Sequence, residues 1–428
     1  MGAAIEATGS PASSIGIVGG GQLAWMLAEA AQRRGIALHV QTPSDHDPAA
    51  AIASSVVTAD VRDVAATRQL SERCTAISFE NEWLDLDGLA ALEADGVRFV
   101  PGLNALRPLV CKRSQRELEQ RLNLPAPRWF PLDQLVRLPV AASLVPSGTP
   151  SAAASQSQGA AVTPQLPEGF AYPLMAKAAT GGYDGKGTAV LKSAADLETL
   201  LARVDPSGWI VEEFVAFEQE LALVAARDAL GEVVCLPLVQ THQHQQVCDW
   251  VLAPVESSHA LRQAARNMAA SLLTSLNYVG VLSIEFFYGP KGLMINELAP
   301  RTHNSGHYSI EACDLSQFDL QLLCVSDQAL SEPELVHPGA LMVNLLGFEE
   351  RPTEDPEADY PQQRQALCDL PDAHLHWYGK KGSSLGRKLG HVTLLLHESD
   401  PKRRRDEAMQ RLEQVRQIWP LPAGASNA

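Results

Sequence analysis

The N-terminal segment SIGIVGGGQLAWMLAEAAQRRGIALHVQT has the pattern of a strand, a tight glycine turn, an amphipathic helix and a second strand. The helix is predicted from Gln22 to Arg34 and ends before Gly35, because glycine commonly terminates helices. Two strands joined by a helix pair in parallel with a right-handed crossover. A buried strand at AISFENEWL extends this unit, so residues 14–115 are predicted to form an open α/β domain.

Changes in composition divide the rest of the chain. Residues 1–13 are predicted to be a disordered tail, and residues 141–168 form a flexible insertion rich in Ser, Ala, Gln, Gly and Pro that cannot bury a core. The insertion interrupts residues 116–330, which combine paired strands with the amphipathic helix HALRQAARNMAASLLTSLN. Residues 335–425 are predicted to form a small β-rich domain that ends in a helix.

Composition excludes several classes of protein. The 428 residues carry a net charge of −16, which argues against a general role in binding nucleic acid or anionic membranes. No apolar run is long enough to span a bilayer, and the first residues lack the pattern of a signal peptide. The seven cysteines include no C-x-x-C pair, as is typical of buried thiols in a reducing compartment. We therefore expect a cytoplasmic protein without a membrane or nucleic-acid partner.

A glycine-rich segment, KAATGGYDGKGTAVLK, lies between two short apolar runs. It lacks the spacing of a P-loop, and a β-branched run follows it, so we predict a loop between two antiparallel strands. Its glycines allow backbone N–H groups to approach an anion closely. Lys177 lies in an apolar strand, where a buried lysine needs an anionic partner. Two interpretations stay open at this point: a hairpin with a loose tip, and a loop that covers a nucleotide phosphate.

A second hairpin, VLSIEFFYGPKGLMINELAPR, carries two carboxylates on apolar strands. If the turn centres near Lys291, Glu285 and Glu297 lie opposite each other, and alternation places Leu293, Ile295 and Glu297 on one face. Like charges that face each other across a pair of strands are destabilising. A magnesium ion, which prefers oxygen ligands, would remove the conflict. The alternative is an exposed edge hairpin with ordinary surface glutamates.

These elements, in this order, resemble the ATP-grasp fold, in which two α+β lobes hold ATP between them. The resemblance implies an N-terminal open α/β domain of the Rossmann-like pre-ATP-grasp type and a small β-rich C-terminal domain. It implies magnesium, as two ions, on Glu285 and Glu297. It assigns ATP to the following residues: Lys112, Lys177, Gly182, Tyr183, Asp184, Gly185, Lys186, Gly187, Thr188, Glu212, Glu213, Phe214, Val215, Glu220, Gln243, Asn296 and Glu297.

Five separated segments narrow the resemblance to one family. They are GGGQLAWML, SFENE, GGYDGKG, INELAPRTHNSGHYS and HWYGKKGSSLGRKLGH. Together they closely resemble the 5-(carboxyamino)imidazole ribonucleotide synthetases of purine biosynthesis. The implied reaction is an ATP-dependent carbon–nitrogen ligation, in which bicarbonate is activated as carboxyphosphate and carboxylates the exocyclic amine of aminoimidazole ribonucleotide. The family also implies a homodimer.

The same resemblance implies roles for individual side chains. Catalysis is assigned to Lys177, Asp184 and Arg301. The ribonucleotide is assigned to these residues: Gln22, Leu23, Glu80, Asn304, Lys380, Arg387 and Lys388. Three places depart from the family, and at one of them Ser384 and Leu385 stand where the family has Arg-Pro, so one arginine is absent. Lys112 replaces an arginine, and Gln243 replaces a histidine but is flanked by His242 and His244, so which of the three contacts the nucleotide stays open.

Other functions are compatible with parts of the sequence. GGGQLA after a strand fits the dinucleotide fingerprint of a nicotinamide oxidoreductase, but that function would not use Lys177 or the paired glutamates. Closer alternatives are a formate-dependent glycinamide ribonucleotide transformylase and a biotin carboxylase. HNSGH and the short glycine hairpin favour the purine carboxylase over both. A non-catalytic ATP-grasp scaffold is expected to lack some of Lys177, Glu285, Glu297 and Arg301, and all four are present.

Overall fold

The structure is a computed structural model that describes residues 14–137, 165–182, 187–352, 355 and 359–422. The predicted N-terminal tail lies outside these residues, as does most of the predicted insertion. The four residues at the tip of the glycine hairpin, 183–186, also lie outside them.

The chain begins with a parallel four-stranded sheet in the order β3-β2-β1-β4. The helix after the first strand ends one residue earlier than predicted, and Gly35 follows with a positive φ of 67°. The βαβ prediction is therefore confirmed. The elements are β1 (Ser14–Val18), α1 (Gln22–Arg33), β2 (Ala37–Thr42), β3 (Ser55–Thr58), α2 (Val64–Ser71), β4 (Ala76–Phe79) and α3 (Leu86–Ala94).

A small antiparallel sheet in the order β5-β8-β6-β7 follows. Its apolar face packs on the helix that follows β7, where Leu174, Leu191 and Leu197 are buried together. The elements are α4 (Leu103–Leu106), α5 (Lys112–Arg121), β5 (Trp129–Pro131), α6 (Gln134–Arg137), β6 (Leu174–Ala178), β7 (Thr188–Leu191), α7 (Ala194–Leu201) and β8 (Trp209–Glu213). The strands β6 and β7 are antiparallel, as the glycine-rich segment predicted.

A large antiparallel sheet forms the rest of the molecule. Its order is β14-β13-β9-β11-β12-β15-β17-β16, with β10 also paired to β9. Because β12 pairs with β15, the sheet continues without a break into the predicted C-terminal domain. The elements are β9 (Gln219–Arg227), β10 (Val233–Cys235), β11 (Val239–His244), β12 (Val247–Ala253), α8 (His259–Ser275), β13 (Gly280–Gly289), β14 (Gly292–Ala299), α9 (Ser309–Ala312), α10 (Gln317–Val325), β15 (Gly339–Leu346), α11 (Pro361–Cys368), β16 (Ala373–Trp377), β17 (Lys388–Leu396) and α12 (Pro401–Ile418).

A β-bulge in β14 decides which side chains share a face with Glu285. Glu285 pairs with Glu297, as predicted, and Asn296 is the extra residue in the register. Ile295 packs instead with Leu293 in the core on the opposite side of the sheet. The prediction that Leu293, Ile295 and Glu297 share a face is therefore wrong, because the bulge interrupts the alternation of side chains between Ile295 and Glu297.

Candidate active site

Three carboxylates lie on one face of the large sheet. Glu285 pairs directly with Glu297, and Glu220 on β9 pairs with Phe287, two residues along β13. Paired residues of antiparallel strands share a face, as do residues two apart on one strand. Glu220, Glu285 and Glu297 therefore converge. The hairpin lies at the edge of the sheet, and the side chains of Glu285 and Glu297 are 24% and 43% exposed, so the pair is accessible to a ligand.

The paired glutamates differ sharply in their affinity for protons. Burial raises the pKa of Glu285 to about 7, and the neighbouring Glu297 and Glu220 raise it further. Burial also opposes ionisation of Glu297. However, the Lys112 ammonium lies 2.7 Å from that carboxylate and lowers its pKa to about 2. One carboxylate thus stays charged while the other holds its proton close to neutral pH.

These oxygens suit magnesium. Glu285 and Glu297 present hard oxygen ligands on adjacent strands, and their like-charge conflict is of the kind that a divalent cation relieves. Within the described residues, no group of three or more His, Cys, Asp or Glu side chains is arranged to hold a metal ion. Two carboxylates are nevertheless sufficient for magnesium that also binds substrate phosphates, since it commonly uses one or two protein carboxylates there.

Lys177 is buried on β6, as predicted, and its anionic partner is a protein carboxylate. Its ammonium lies 2.8 Å from Oε2 of Glu212 and donates to Oδ1 of Asn296 at 3.0 Å. Burial lowers the pKa of Lys177, and Glu212 opposes that effect. The burial of Lys177 therefore does not by itself require a phosphate. The lysine does lie between the small sheet and the bulge beside Glu297.

Arg116 extends this charge network. It is nearly buried, and it pairs with Glu119 at 2.6 Å and with Glu212 at 2.8 Å. The guanidinium also donates to the backbone carbonyls of Ile295 and Asn296 and so holds the bulge in place. Burial opposes ionisation of Glu212, but Arg116 and Lys177 outweigh it and lower the pKa of Glu212 to about 2.

The segment after β8 has features of an adenine site, although not through its glutamates. The carboxylate of Glu212 faces the charge network, and that of Glu213 pairs with Arg128 at 3.0 Å. Phe214 is 45% exposed, an unusual fraction for a large aromatic residue, and Val215 is buried beside it. This segment therefore offers Phe214, Val215 and main-chain groups to a ligand.

Strand alternation separates the three candidates at the tip of β11. His242 stacks on Trp250 with ring centroids 5.2 Å apart, and Nε2 of His244 contacts the carbonyl oxygen of Pro422. Gln243 lies on the other face, with Thr241, which pairs with Glu220. Alternation along β11 thus favours Gln243 for the carboxylate face, while the charge of His242 also lowers the pKa of Glu220.

The N-terminus of α1 is occupied by a carboxylate of the protein itself, that of Glu80. Oε2 of Glu80 accepts from the N–H of Gly21 at 2.7 Å, and Oε1 accepts from the N–H of Leu23 at 3.1 Å. These are the groups that a helix offers to a phosphate. The carboxylate also lies about 2.6 Å from where a Cβ on Gly21 would stand, so the turn has little room for a pyrophosphate. The predicted contacts of Gln22, Leu23 and Glu80 with the ribonucleotide stay predictions.

The loop after β14 brings Arg301, His303 and Asn304 towards the carboxylates. Nε of Arg301 lies 3.0 Å from Glu82, and Nε2 of His303 lies 3.8 Å from Glu285. The amide of Asn304 forms a buried pair with Asn344, where each Nδ2 donates to the other Oδ1 at 2.9 and 2.7 Å. The pair fixes the orientation of the Asn304 amide and uses one of its two N–H groups and one lone pair of its oxygen.

The basic turn between β16 and β17 lies on the same side as the carboxylates. Lys380 donates to the carbonyl of Lys388 at 3.0 Å, and Arg387 donates to the carbonyls of Lys381 and Gly382. The charge of Lys388 is close enough to lower the pKa of Glu285. The turn is therefore organised by its own backbone and faces the site.

The glycine hairpin approaches the large sheet from the small one. Lys177 pairs with Thr188 across the hairpin, and the hydroxyl of Thr188 donates to the side chain of Gln246, at the tip of the β11–β12 hairpin. Gly182 and Gly187 flank the tip. The predicted ATP contacts of Tyr183, Asp184, Gly185 and Lys186 fall in the part of the hairpin that lies outside the described residues.

Three domain families match successive parts of the chain. They are the ribonucleotide synthetase preATP-grasp domain over residues 12–108, the ATP-grasp domain over 148–318, and the phosphoribosylaminoimidazole carboxylase C-terminal domain over 340–405. The N5-carboxyaminoimidazole ribonucleotide synthase of Synechococcus elongatus is 47% identical over 413 residues, which cover 96% of this chain and 97% of that protein. The chain belongs to the N5-carboxyaminoimidazole ribonucleotide synthase family.

Solved structures of this synthase family share the fold. The Aspergillus clavatus synthase complexed with ATP matches with a TM-score of 0.79 and 28% identity, over 95% of this chain and 99% of that one. A complex of the enzyme from the same organism with ADP and 5-aminoimidazole ribonucleotide matches with a TM-score of 0.78 and 27% identity, over the same shares. The ATP-grasp prediction is confirmed. None of the described helices is long and apolar enough to cross a membrane.

Sequence reasoning missed several residues at the site of this synthase. His303 belongs to the quoted HNSGH segment but was given no role, and Glu82 belongs to SFENE. Phe217 and Phe287 stack with centroids 4.6 Å apart beside Glu220. The position of His303, two residues after the predicted catalytic Arg301, could have indicated that it lies at the site. No local pattern could reveal that Phe217 and Phe287 meet, because they come from separate segments.

Proposed function

We propose that this chain carboxylates the exocyclic amine of 5-aminoimidazole ribonucleotide with ATP and bicarbonate, as an ATP-dependent carbon–nitrogen ligase of purine biosynthesis. The observation that carries the proposal is the Glu285–Glu297 pair, which faces Lys112 and lies beside Lys177 at the junction of the two sheets. Family membership supports the reaction, and the relatives complexed with ATP and with the ribonucleotide support both ligands.

ATP would bind between the small sheet and the large sheet. Phe214 and Val215 would line the adenine, Glu220 would accept from the ribose hydroxyls, and Gln243 would lie close to it on the same face of the sheet. Burial raises the pKa of Glu220 to about 7, as expected of a carboxylate that awaits a hydrogen-bonding partner. Lys112 and Lys177 would contact the phosphates, and the glycine hairpin would cover them.

Magnesium bound by Glu285 and Glu297 would neutralise charge on the phosphates during phosphoryl transfer. The side chains of the protein would orient the reacting groups and exclude water from the site. Transfer of the γ-phosphoryl group to a bicarbonate oxygen gives ADP and carboxyphosphate. The amine nitrogen then attacks the carbon, or the carbon dioxide released from it, and inorganic phosphate leaves while the amine loses a proton. Because carboxyphosphate reacts with water, the site must exclude solvent at this stage.

Arg301 would bind the bicarbonate oxygens, since a guanidinium presents paired N–H groups to a planar oxyanion. Lys380, Arg387 and Lys388 would bind the ribonucleotide phosphate. Asp184 would accept the proton from the amine. We also propose a homodimer in the cytoplasm, with an N-terminal domain of residues 14–115, an ATP-grasp domain of residues 116–330 and a C-terminal domain of residues 335–425. All seven cysteines are unpaired, which suits a reducing compartment.

The decisive assay is release of inorganic phosphate from ATP. We expect turnover only when bicarbonate and 5-aminoimidazole ribonucleotide are both present. Formate and glycinamide ribonucleotide serve as the matched alternatives. Phosphate release with formate, or without dependence on bicarbonate, would contradict the proposed function.

A further inference from the structure

An ion pair connects the N-terminal sheet to the loop that carries Arg301. Glu82 follows β4, and its Oε1 lies 3.0 Å from Nε of Arg301. The two side chains are 20% and 22% exposed, so solvent screens the pair only partly. Glu82 is thus a charged group of the N-terminal sheet that lies directly against a proposed catalytic side chain.

Two contacts hold the guanidinium of Arg301: an ion pair with Glu82, in which Nε makes no hydrogen bond, and one hydrogen bond from Nη1. Glu82 lies at Nε, and Nη1 donates to the carbonyl oxygen of Thr302 at 3.2 Å. Among the described residues, no hydrogen bond involves Nη2. An arginine side chain carries about 2 kcal/mol of rotamer entropy, so two contacts matter for where its remaining N–H groups point.

We propose that Glu82 is a positioning residue, which orients the Arg301 guanidinium so that its remaining N–H groups meet the bicarbonate oxyanion. The inference rests on the proposed function, because Arg301 needs a fixed orientation only if it binds a planar anion. Both N–H groups of Nη2 lie outside the two contacts within the described residues, and these are the groups available to the oxyanion.

The same carboxylate could act as a competitor that neutralises Arg301 and weakens bicarbonate binding. The two roles predict opposite signs. If Glu82 orients Arg301, its removal raises the KM for bicarbonate. If Glu82 competes with bicarbonate, its removal lowers that KM. The contacts at Nε and Nη1 favour orientation, since they leave the N–H groups of Nη2 to the substrate.

The interface also offers a matched control. Arg98 of the N-terminal sheet region pairs with Asp327 after α10, so this ion pair joins the same two parts of the chain away from the carboxylates. Asp327 has a positive φ of 55°, a conformation that asparagine adopts readily. Asp327→Asn therefore breaks a cross-interface ion pair without backbone strain, and Glu82→Gln makes the same chemical change beside Arg301.

The test measures kcat and KM for bicarbonate and for ATP in wild type, Glu82→Ala, Glu82→Gln and Asp327→Asn. We expect Glu82→Ala to raise the KM for bicarbonate about tenfold, because the guanidinium loses the ion pair that orients it. Glu82→Gln, which keeps the shape of the side chain but removes its charge, should show a similar rise. The KM for ATP should stay within about twofold in all variants, and Asp327→Asn should match wild type.

An unchanged or lowered KM for bicarbonate in Glu82→Ala would overturn the inference, as would an equal rise in Asp327→Asn. If thermal unfolding shows that Glu82→Ala is not folded, the KM for bicarbonate of Glu82→Gln is compared with that of Asp327→Asn to test the role of Glu82. Wild-type protein without bicarbonate-dependent turnover would defeat the proposed function and this inference together. Normal wild-type turnover with no difference among the variants would defeat only the role of Glu82.

Discussion

Replacing Glu285 with glutamine should stabilise the protein in the absence of metal while removing its function. Glu285 faces Glu297 across the hairpin, and its pKa rises from 4.5 to about 7 on folding. An acid with a raised pKa binds its proton more tightly in the folded state. The stabilisation of the folded state by protonated Glu285 is therefore fully present below pH 4.5, and it is lost as the pH rises through 7.

The size of this effect follows from the shift. A difference of about 2.5 units at 1.36 kcal/mol per unit corresponds to about 3 kcal/mol of lost stability at pH 8. Glutamine does not ionise, so Glu285→Gln does not lose this stability at pH 8. Without metal, we expect the variant to unfold at a higher temperature than wild type at pH 8, and at nearly the same temperature at pH 4.5.

Differential scanning calorimetry in EDTA at pH 4.5 and pH 8 measures this difference. The exposed Glu198→Gln is the matched control and should show no pH-dependent gain. Adding Mg-ATP at 100 times its Kd should stabilise wild type by about 2.7 kcal/mol and the variant by much less. A variant that is less stable than wild type at pH 8, or that gains equally from Mg-ATP, would refute the reasoning.

Three further substitutions test other parts of the site. Glu297→Gln should abolish turnover with little loss of fold, and near-normal phosphate release would contradict the metal assignment. Glu212→Gln should lower the free energy of unfolding by about 3–5 kcal/mol, because it leaves buried Arg116 and Lys177 without a shared anion; urea unfolding measures this, with Glu213→Gln expected to cost under about 1 kcal/mol. His391 is buried, and burial holds its pKa well below the ordinary value, so stability should fall as the pH drops below 6.5. His391→Gln, which can still accept from Tyr378, should reduce that dependence by about 1.4 kcal/mol per pH unit, and an unchanged pH profile of the unfolding temperature would count against it.

Much of this architecture follows from local patterns. The βαβ unit, the antiparallel glycine hairpin and the pairing of Glu285 with Glu297 each depend on alternation and turn residues within about thirty positions, which is the range that periodicity can reveal. The family followed from several such segments in a fixed order.

The errors and omissions concern contacts between distant segments. Alternation predicted that Ile295 and Glu297 share a face. However, the bulge between them is held by Arg116 of the distant helix α5. Lys177 clearly needed an anion, yet nothing local identified Glu212 as that anion. The reciprocal amide pair between Asn304 and Asn344 is likewise invisible in either segment alone.

The origin of the oxygen in the released phosphate tests the central claim most directly. If the chain phosphorylates bicarbonate, then ¹⁸O-labelled bicarbonate should transfer one labelled oxygen to each inorganic phosphate formed with 5-aminoimidazole ribonucleotide present. Mass spectrometry of the phosphate, sampled before the label exchanges with water, should show that single substitution. Unlabelled phosphate during full turnover would mean that water, not bicarbonate, receives the phosphoryl group.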